Sequence, residues 1–225
     1  MSHPARDVAA RGRRAPRPSG DDRELAILAT AERLLAEQPL SSVSVDDLAR
    51  GAGISRPTFY FYFASKDAVL LTLLDRVVAE ADAAMTRAAT AFADAPSVGT
   101  SGAVVAREAW RQAIAAYYDT FRDHRGLTLA WAEARSTSPQ VRELWATVFE
   151  GWVQRSAAAI DAERARGAAP LGVPARDLAV ALNSMNERVL YATLSGDGPS
   201  VAEGDVVGVL LGVWLGAIYG RPAAG

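Results

Sequence analysis

The sequence predicts an all-α protein of about nine helices, with an N-terminal helix-turn-helix head of three helices and a larger C-terminal helical body. Three observations carry that prediction. Apolar residues recur at three- and four-residue spacing along most of the chain. No stretch alternates in the manner of a half-buried strand. Glycine, proline or a capping serine stands where each periodic run stops.

In chain order, residues 1–20 come first. Arg6, Arg11, Arg13, Arg14 and Arg17 face a single Asp7, and three prolines are interspersed, so a disordered basic arm is expected. Either it touches phosphates or it only solubilises the chain. From Asp21 the pattern is helical, with Leu25, Leu28, Ala29, Leu35 and Ala36 as its stripe and Pro39 ending it. Ser44 caps the next helix, with Asp47 three residues on as a capping-box variant. Gly51 and Gly53 stop that helix, Ser55 caps the third, and Pro57 sits in its first turn. Ser65 caps a long helix whose apolar side is Val69, Leu70, Leu73, Leu74, Val77 and Val78. A loop is expected over 92–103, then helices over 104–122, 127–135, 139–166, 174–195 and 203–219. Their breaks are marked by Gly126, Ser138-Pro139 and the stretches 167–174 and 196–199. The implied organisation is a disordered arm over 1–20, a helix-turn-helix head over 21–66, and a helical body over 67–225.

Composition narrows the function. The 225 residues suffice for one ordinary domain and a small second one, and half of them are hydrophobic, enough for a real core. No cysteine means no disulfide framework and no thiolate chemistry. Two histidines, His3 and His124, are too few for a histidine-based metal site, and no cofactor motif stands out. No carboxylate pair, nucleophile–base pair or phosphate-cradling loop supports an enzyme. The first twenty residues lack the apolar core of a signal peptide, so a cytoplasmic protein is expected. Residues 1–66 hold 10 basic and 8 acidic side chains, hence +2, and residues 67–225 hold 14 and 18, hence −4. A mildly basic head on an acidic body is weak support for DNA binding at that end.

The stronger support is the run Phe59, Tyr60, Phe61, Tyr62, Phe63, followed by Lys66, the only lysine in the chain. Five successive side chains on a short helix point all round its axis, so some must face outward. A capped helix, a Gly-Ala-Gly turn and a second capped helix have helix-turn-helix spacing. Ser44, Ser55, Arg56, Thr58, Tyr60, Tyr62 and Lys66 are the DNA-facing candidates. Arg56 suits a guanine edge, the tyrosine hydroxyls suit phosphates, and Lys66 sits at the positive end of the long helix. Phe59 and Phe63 are expected to anchor the head.

Further along, Trp110, Tyr117 and Phe121 share one helix face, and Trp145, Phe149, Trp152 and Ser156 share another. Asn183 and Asn186 lie on one face of a third helix near Tyr191, and Trp214 lies on the last. Spacing alone fits an aromatic core or the lining of a ligand site. Two asparagines facing an apolar interior need partners, which a ligand can supply. Gly204, Gly208, Gly212, Gly216 and Gly220 recur every fourth residue, letting another backbone approach. That fits a homodimer face built from 174–195 and 203–219, or close packing within one subunit. The apolar stretch Val206–Tyr219 is too short for a membrane span of roughly 20 residues.

The window SVDDLARGAGISRPTFYFYFASKDAVLL over residues 44–71 resembles the signature of the TetR family of transcriptional repressors. The resemblance extends to DDRELAILATAE at 21–32, DAERARGAAP at 161–170 and MNER at 185–188, and is looser between Thr86 and Val105. It implies a dimer on double-stranded operator DNA, held by two helices per subunit and released by a small-molecule effector. It also implies that Trp110, Tyr117, Phe121, Trp145, Phe149, Trp152, Ser156, Asn183, Asn186, Tyr191 and Trp214 match a deep tunnel. That tunnel takes elongated hydrophobic molecules with an amide or ester-like acceptor. Control of a neighbouring monooxygenase gene is implied as well. The alternative is a helical small-molecule-binding protein with no regulatory DNA role, and salt-dependent, sequence-selective DNA binding separates the two.

Overall fold

The computed structural model describes residues 20–90 and 99–220. Among these residues the chain forms nine α-helices and no strand: α1 Gly20–Glu37, α2 Val45–Gly51, α3 Arg56–Tyr62, α4 Lys66–Thr90, α5 Gly99–Asp123, α6 Arg125–Thr137, α7 Pro139–Ala165, α8 Ala175–Ser195 and α9 Val206–Tyr219. Single 3₁₀ turns lie at Leu40–Ser42 and Glu203–Asp205. The basic arm falls outside the described residues except for Gly20, which begins α1.

Caps set the helices of the head. Ser44 Oγ accepts the Asp47 N–H at 3.2 Å, while Asp47 accepts the Ser44 N–H at 3.1 Å, a reciprocal capping box. Ser55 Oγ accepts the Thr58 N–H at 3.3 Å, and Pro57 sits in the first turn of α3. Gly53 joins the two helices at φ 68°, a conformation that a side chain disfavours. Ser65 accepts the Ala68 N–H at 3.2 Å and starts α4. Ile27, Leu28, Leu48, Phe59 and Phe63 then close a small core over Val69, Leu70 and Leu73 of α4.

Two boundaries differ from the sequence reading. Helix α5 already begins at Gly99, inside the expected 92–103 loop, and residues 91–98 lie outside the described residues. The break between α5 and α6 falls at His124 (φ −104°, ψ 37°), not at Gly126, which lies within the first turn of α6. Its glycine is needed for a different reason. A Cβ there would stand 2.3 Å from the Leu35 carbonyl oxygen, so α6 rests directly on the backbone of α1. Nearby, the Ser41 N–H donates to Glu133 of α6 at 3.0 Å. The body therefore holds the head through α6 as well as through α4.

In the body α4 packs on α5, α7 on α8, and α5 on α9. Leu74, Val77 and Ala81 of α4, Phe121 of α5, Val153 and Ile160 of α7, Leu190 and Leu194 of α8, and Leu210 of α9 are buried. Each large side chain contributes about 1.5–3 kcal/mol of burial. Helix α9 buries Val206, Leu210, Leu211, Trp214 and Ile218 and exposes Val209 and Val213 on the other side. A Cβ on Gly208, Gly212 or Gly216 would meet nothing within 4 Å, so these glycines do not serve packing within the subunit. Among the described residues no helix is long and apolar enough to cross a membrane.

Candidate functional site

The structure offers two candidate surfaces, one at each end of α4. The first is the outer face of the helix-turn-helix. Phe59 of α3 and Phe63, which follows its last turn, are buried, whereas Tyr60 is 46% and Phe61 83% exposed. Phe61, undecided by spacing, thus points outward. Tyr62 is half-buried against the head core and meets Phe61 edge-on at 5.2 Å.

Arg56 opens α3 and is already engaged. It donates to Asp46 of α2 at 2.7 Å and to the Tyr60 hydroxyl at 3.3 Å, and its guanidinium lies 5.8 Å from the Tyr60 ring centre. The carboxylate partner was not anticipated from sequence. Both partners are half exposed and screened by solvent, so the pair orients Arg56 without locking it. Tyr60 accepts from Arg56, which leaves its own hydroxyl proton free for a phosphate oxygen. Ser44 and Ser55 serve first as caps, and the Ser55 and Thr58 hydroxyls lie 2.8 Å apart.

Lys66 behaves differently from expectation. Its ammonium donates to the carbonyls of Leu40 and Val43 at 3.0 and 3.2 Å. It ties the first turn of α4 to the 3₁₀ turn, and one of its three donors remains for any phosphate.

The second surface is internal. A cavity of about 360 Å³ lies among α4, α5, α7, α8 and α9, with Trp110, Tyr117, Trp152, Ser156, Asn183, Asn186 and Trp214 in its wall. Met85, Arg155 and Glu163 also line it, and helical spacing had not singled them out.

The two asparagines are held unequally. Asn183 Nδ2 donates to Ser156 Oγ at 3.1 Å and to the Ala179 carbonyl at 2.8 Å, so the protein pairs it. Asn186 is 6% exposed, and its Oδ1 accepts the Trp214 indole N–H at 2.9 Å. That donor fixes the amide's orientation and leaves Nδ2 without a partner among the described residues. The cavity therefore presents an oriented N–H donor in an apolar wall.

Polar pairs anchor this wall to other elements. The Trp152 indole N–H donates to Asp82 of α4 at 3.0 Å, and Arg155 donates to the same oxygen at 2.6 Å. At another edge the Tyr219 hydroxyl donates to Glu163 at 2.7 Å and accepts the Trp110 indole N–H at 3.0 Å. Burial, together with the Glu163 carboxylate, pushes the Tyr219 hydroxyl well above its ordinary pKa and keeps it neutral. Asp82 and Tyr219 left no mark in the spacing.

The remaining candidates do not line this cavity. Trp145 and Tyr191 line a separate hollow of about 700 Å³ between α6 and α8. Phe149, with Trp145, lines a shallower one of about 550 Å³. The Arg135–Glu187 ion pair borders both hollows, and Arg135 lies 5.3 Å from the Trp145 ring centre. Phe121 is fully buried and lies between the compartments. Its ring meets those of Tyr117, Trp152, Trp131 and Trp145 at 5.1 to 6.3 Å. The candidates expected to share one lining thus fall around this cavity and two neighbouring hollows, with Trp145 and Trp152 in ring contact at 5.6 Å.

Two family models match different parts of the chain. Residues 27–73 match the family model for bacterial regulatory proteins of the tetR family. Residues 110–220 match the model for the C-terminal domain of the transcriptional regulator EthR. The chain is 55% identical over 211 residues to the HTH-type transcriptional regulator EthR of Mycobacterium tuberculosis, covering 94% of each protein. It is 47% identical over 215 residues to the same-named regulator of Mycolicibacterium smegmatis, covering 96% of this chain and 94% of that one. Among solved structures, a TetR-family regulator from Syntrophomonas wolfei superposes with a TM-score of 0.72 at 14% identity, over 92% of this chain and all of that one. FadR of Bacillus subtilis, solved with stearoyl-CoA, gives 0.64 at 16% identity, over 88% of this chain and 99% of that one. At such identities these two show a shared fold. The relatives are transcription regulators, not enzymes.

Proposed function

We propose, from the premise that this chain belongs to the TetR family of transcriptional regulators, that it is a homodimeric repressor released from operator DNA by an elongated hydrophobic effector with a hydrogen-bond acceptor. Residues 21–66 act as the DNA-binding unit. The remainder holds the effector and the partner subunit.

One observation carries the coupling. Asp82, on the helix that leaves the head, accepts from Trp152 and Arg155, both in the cavity wall. Sixteen residues separate it from Lys66, about 24 Å of continuous helix at 1.5 Å per residue. At the head end the Lys66 ammonium grips two carbonyls. An effector that displaces Trp152 moves α4, and α4 moves the head. Two heads fit neighbouring major grooves only near 34–36 Å separation. An effector that binds better to a splayed dimer lowers DNA affinity by its preference between the two states.

Exposed Val180 on α8, and Val209 and Val213 beside the open glycines of α9, support these helices as the dimer face. The unpaired Nδ2 of Asn186 supports an amide or ester acceptor on the effector. A monooxygenase gene beside this one is the target that the resemblance favours.

The test is a mobility shift on the DNA between this gene and its neighbour, with and without long-chain amides and esters. Retardation that weakens with salt and is reversed by such a compound is expected. The Asp82→Ala variant is expected to bind the compound yet stay on DNA. Release of Asp82→Ala at the wild-type effector concentration overturns the coupling route.

A further inference from the structure

The cavity contains a second polar group for which the protein supplies no partner. Tyr117 is 6% exposed and lines the cavity on α5. Its ring is fixed edge-on to Trp152 at 5.4 Å and leans on Phe121 at 5.1 Å. Its hydroxyl has no hydrogen-bond partner among the described residues. Burial, and then the Glu187 carboxylate, push that hydroxyl above its ordinary pKa, so it remains a neutral O–H at physiological pH. Its neighbour Tyr118 also lacks a partner, but that oxygen is sealed from solvent, and Tyr118 does not line the cavity.

A hydroxyl enclosed by apolar walls gains nothing from a hydrocarbon and gains a full bond from a polar group. A cavity of about 360 Å³, near the small end of usual ligand sites, leaves a ligand little room to avoid it. We infer that the effector carries two hydrogen-bonding groups, an acceptor met by Asn186 and a hydroxyl or carbonyl met by Tyr117. This rests on the reading of the cavity as the effector site. It makes Tyr117 a specificity-determining residue that favours an oxygenated chain over a plain one.

The experiment titrates the full chain calorimetrically with decanamide and with a set of its monohydroxylated forms. At least one hydroxy amide is expected to bind wild type about tenfold more tightly than decanamide. The Tyr117→Phe variant is expected to lose that preference and to bind decanamide at least as well as wild type does. Its thermal unfolding without ligand should be unchanged or raised, since no protein hydrogen bond is lost. No preference in wild type, or the same preference in Tyr117→Phe, overturns the inference. If decanamide binds neither wild type nor Asn186→Leu, the effector cavity itself is wrong, and the inference falls with it.

Discussion

In the head, α3 and the residue that ends it carry five aromatics in five consecutive positions, and they scatter. Phe59 and Phe63 enter the core, while Tyr60 and Phe61 face solvent. In the body, aromatics set seven or more residues apart on α5 converge with those of α7 and α9 around one hollow. The same residue types yield an outward surface at one end of α4 and an inward one at the other. The difference lies in spacing. A consecutive run samples every direction of a helix, whereas a run at helical period selects one. The polar groups follow the same division: Arg56 and Tyr60 lie on the exposed face of the head, and Asn186 and Tyr117 are buried in the cavity wall.

The largest expected effect breaks the joint between the two ends. Gly126→Ala puts a methyl against the Leu35 carbonyl, where neither backbone can yield cheaply. A loss of about 3 kcal/mol in urea unfolding is expected, since overpacking a tight contact costs in that range. Unaltered stability would mean that α6 and α1 do not touch this closely in solution.

Next comes the inner surface. Asn186→Leu removes the oriented donor and should weaken binding of an amide effector by about 2 kcal/mol, roughly thirtyfold, while operator affinity of the free protein stays the same. Calorimetry and a mobility shift read the two halves separately. A parallel loss of both would merge the surfaces that the comparison keeps apart.

The outer surface gives the converse. Tyr60→Phe keeps the ring and removes the phosphate donor. About 1.5 kcal/mol of operator affinity should disappear, with effector binding untouched. Fluorescence anisotropy on labelled operator checks it, and full-strength DNA binding would remove Tyr60 from the interface.

The smallest effect is at a cap. Ser44→Ala should cost about 1 kcal/mol of thermal stability near neutral pH. Asp47 adds a pH signature, because the Ser44 hydrogen bonds, and then Arg50, hold its carboxyl below the usual range. A depressed carboxylate stabilises above its unfolded pKa of about 4 and loses that contribution as the pH falls through its folded value. The gap between wild type and Ser44→Ala should therefore narrow below about pH 4. A constant gap would show that the box does not depend on charge.

Much of this was legible in the chain. The caps at Ser44, Ser55 and Ser65 and the turn at Gly53 are local chemistry, and local chemistry is written in consecutive residues. Family resemblance and helical faces also brought Trp110, Tyr117, Trp152 and Asn186 to one place. What spacing could not show is which face meets which. Trp152 with Asp82, Arg56 with Asp46, Ser41 with Glu133 and Tyr219 with Trp110 are pairs whose members lie on different elements. Gly126 was read as a helix stop because glycine commonly is one, whereas its role is set by the backbone of α1 91 residues earlier, at Leu35. Trp145, Phe149 and Tyr191 have the same helical spacing but line neighbouring hollows, so one periodicity serves more than one space.

Lys66 has a practical consequence. It carries the chain's only side-chain amine, and that amine sits in the joint where α4 enters the head, bound to Leu40 and Val43. Reductive methylation with isotopically labelled formaldehyde would therefore place a single side-chain reporter at the hinge without mutagenesis. If operator DNA or effector shifts the head as proposed, its resonance should respond, reporting that movement from inside the native protein.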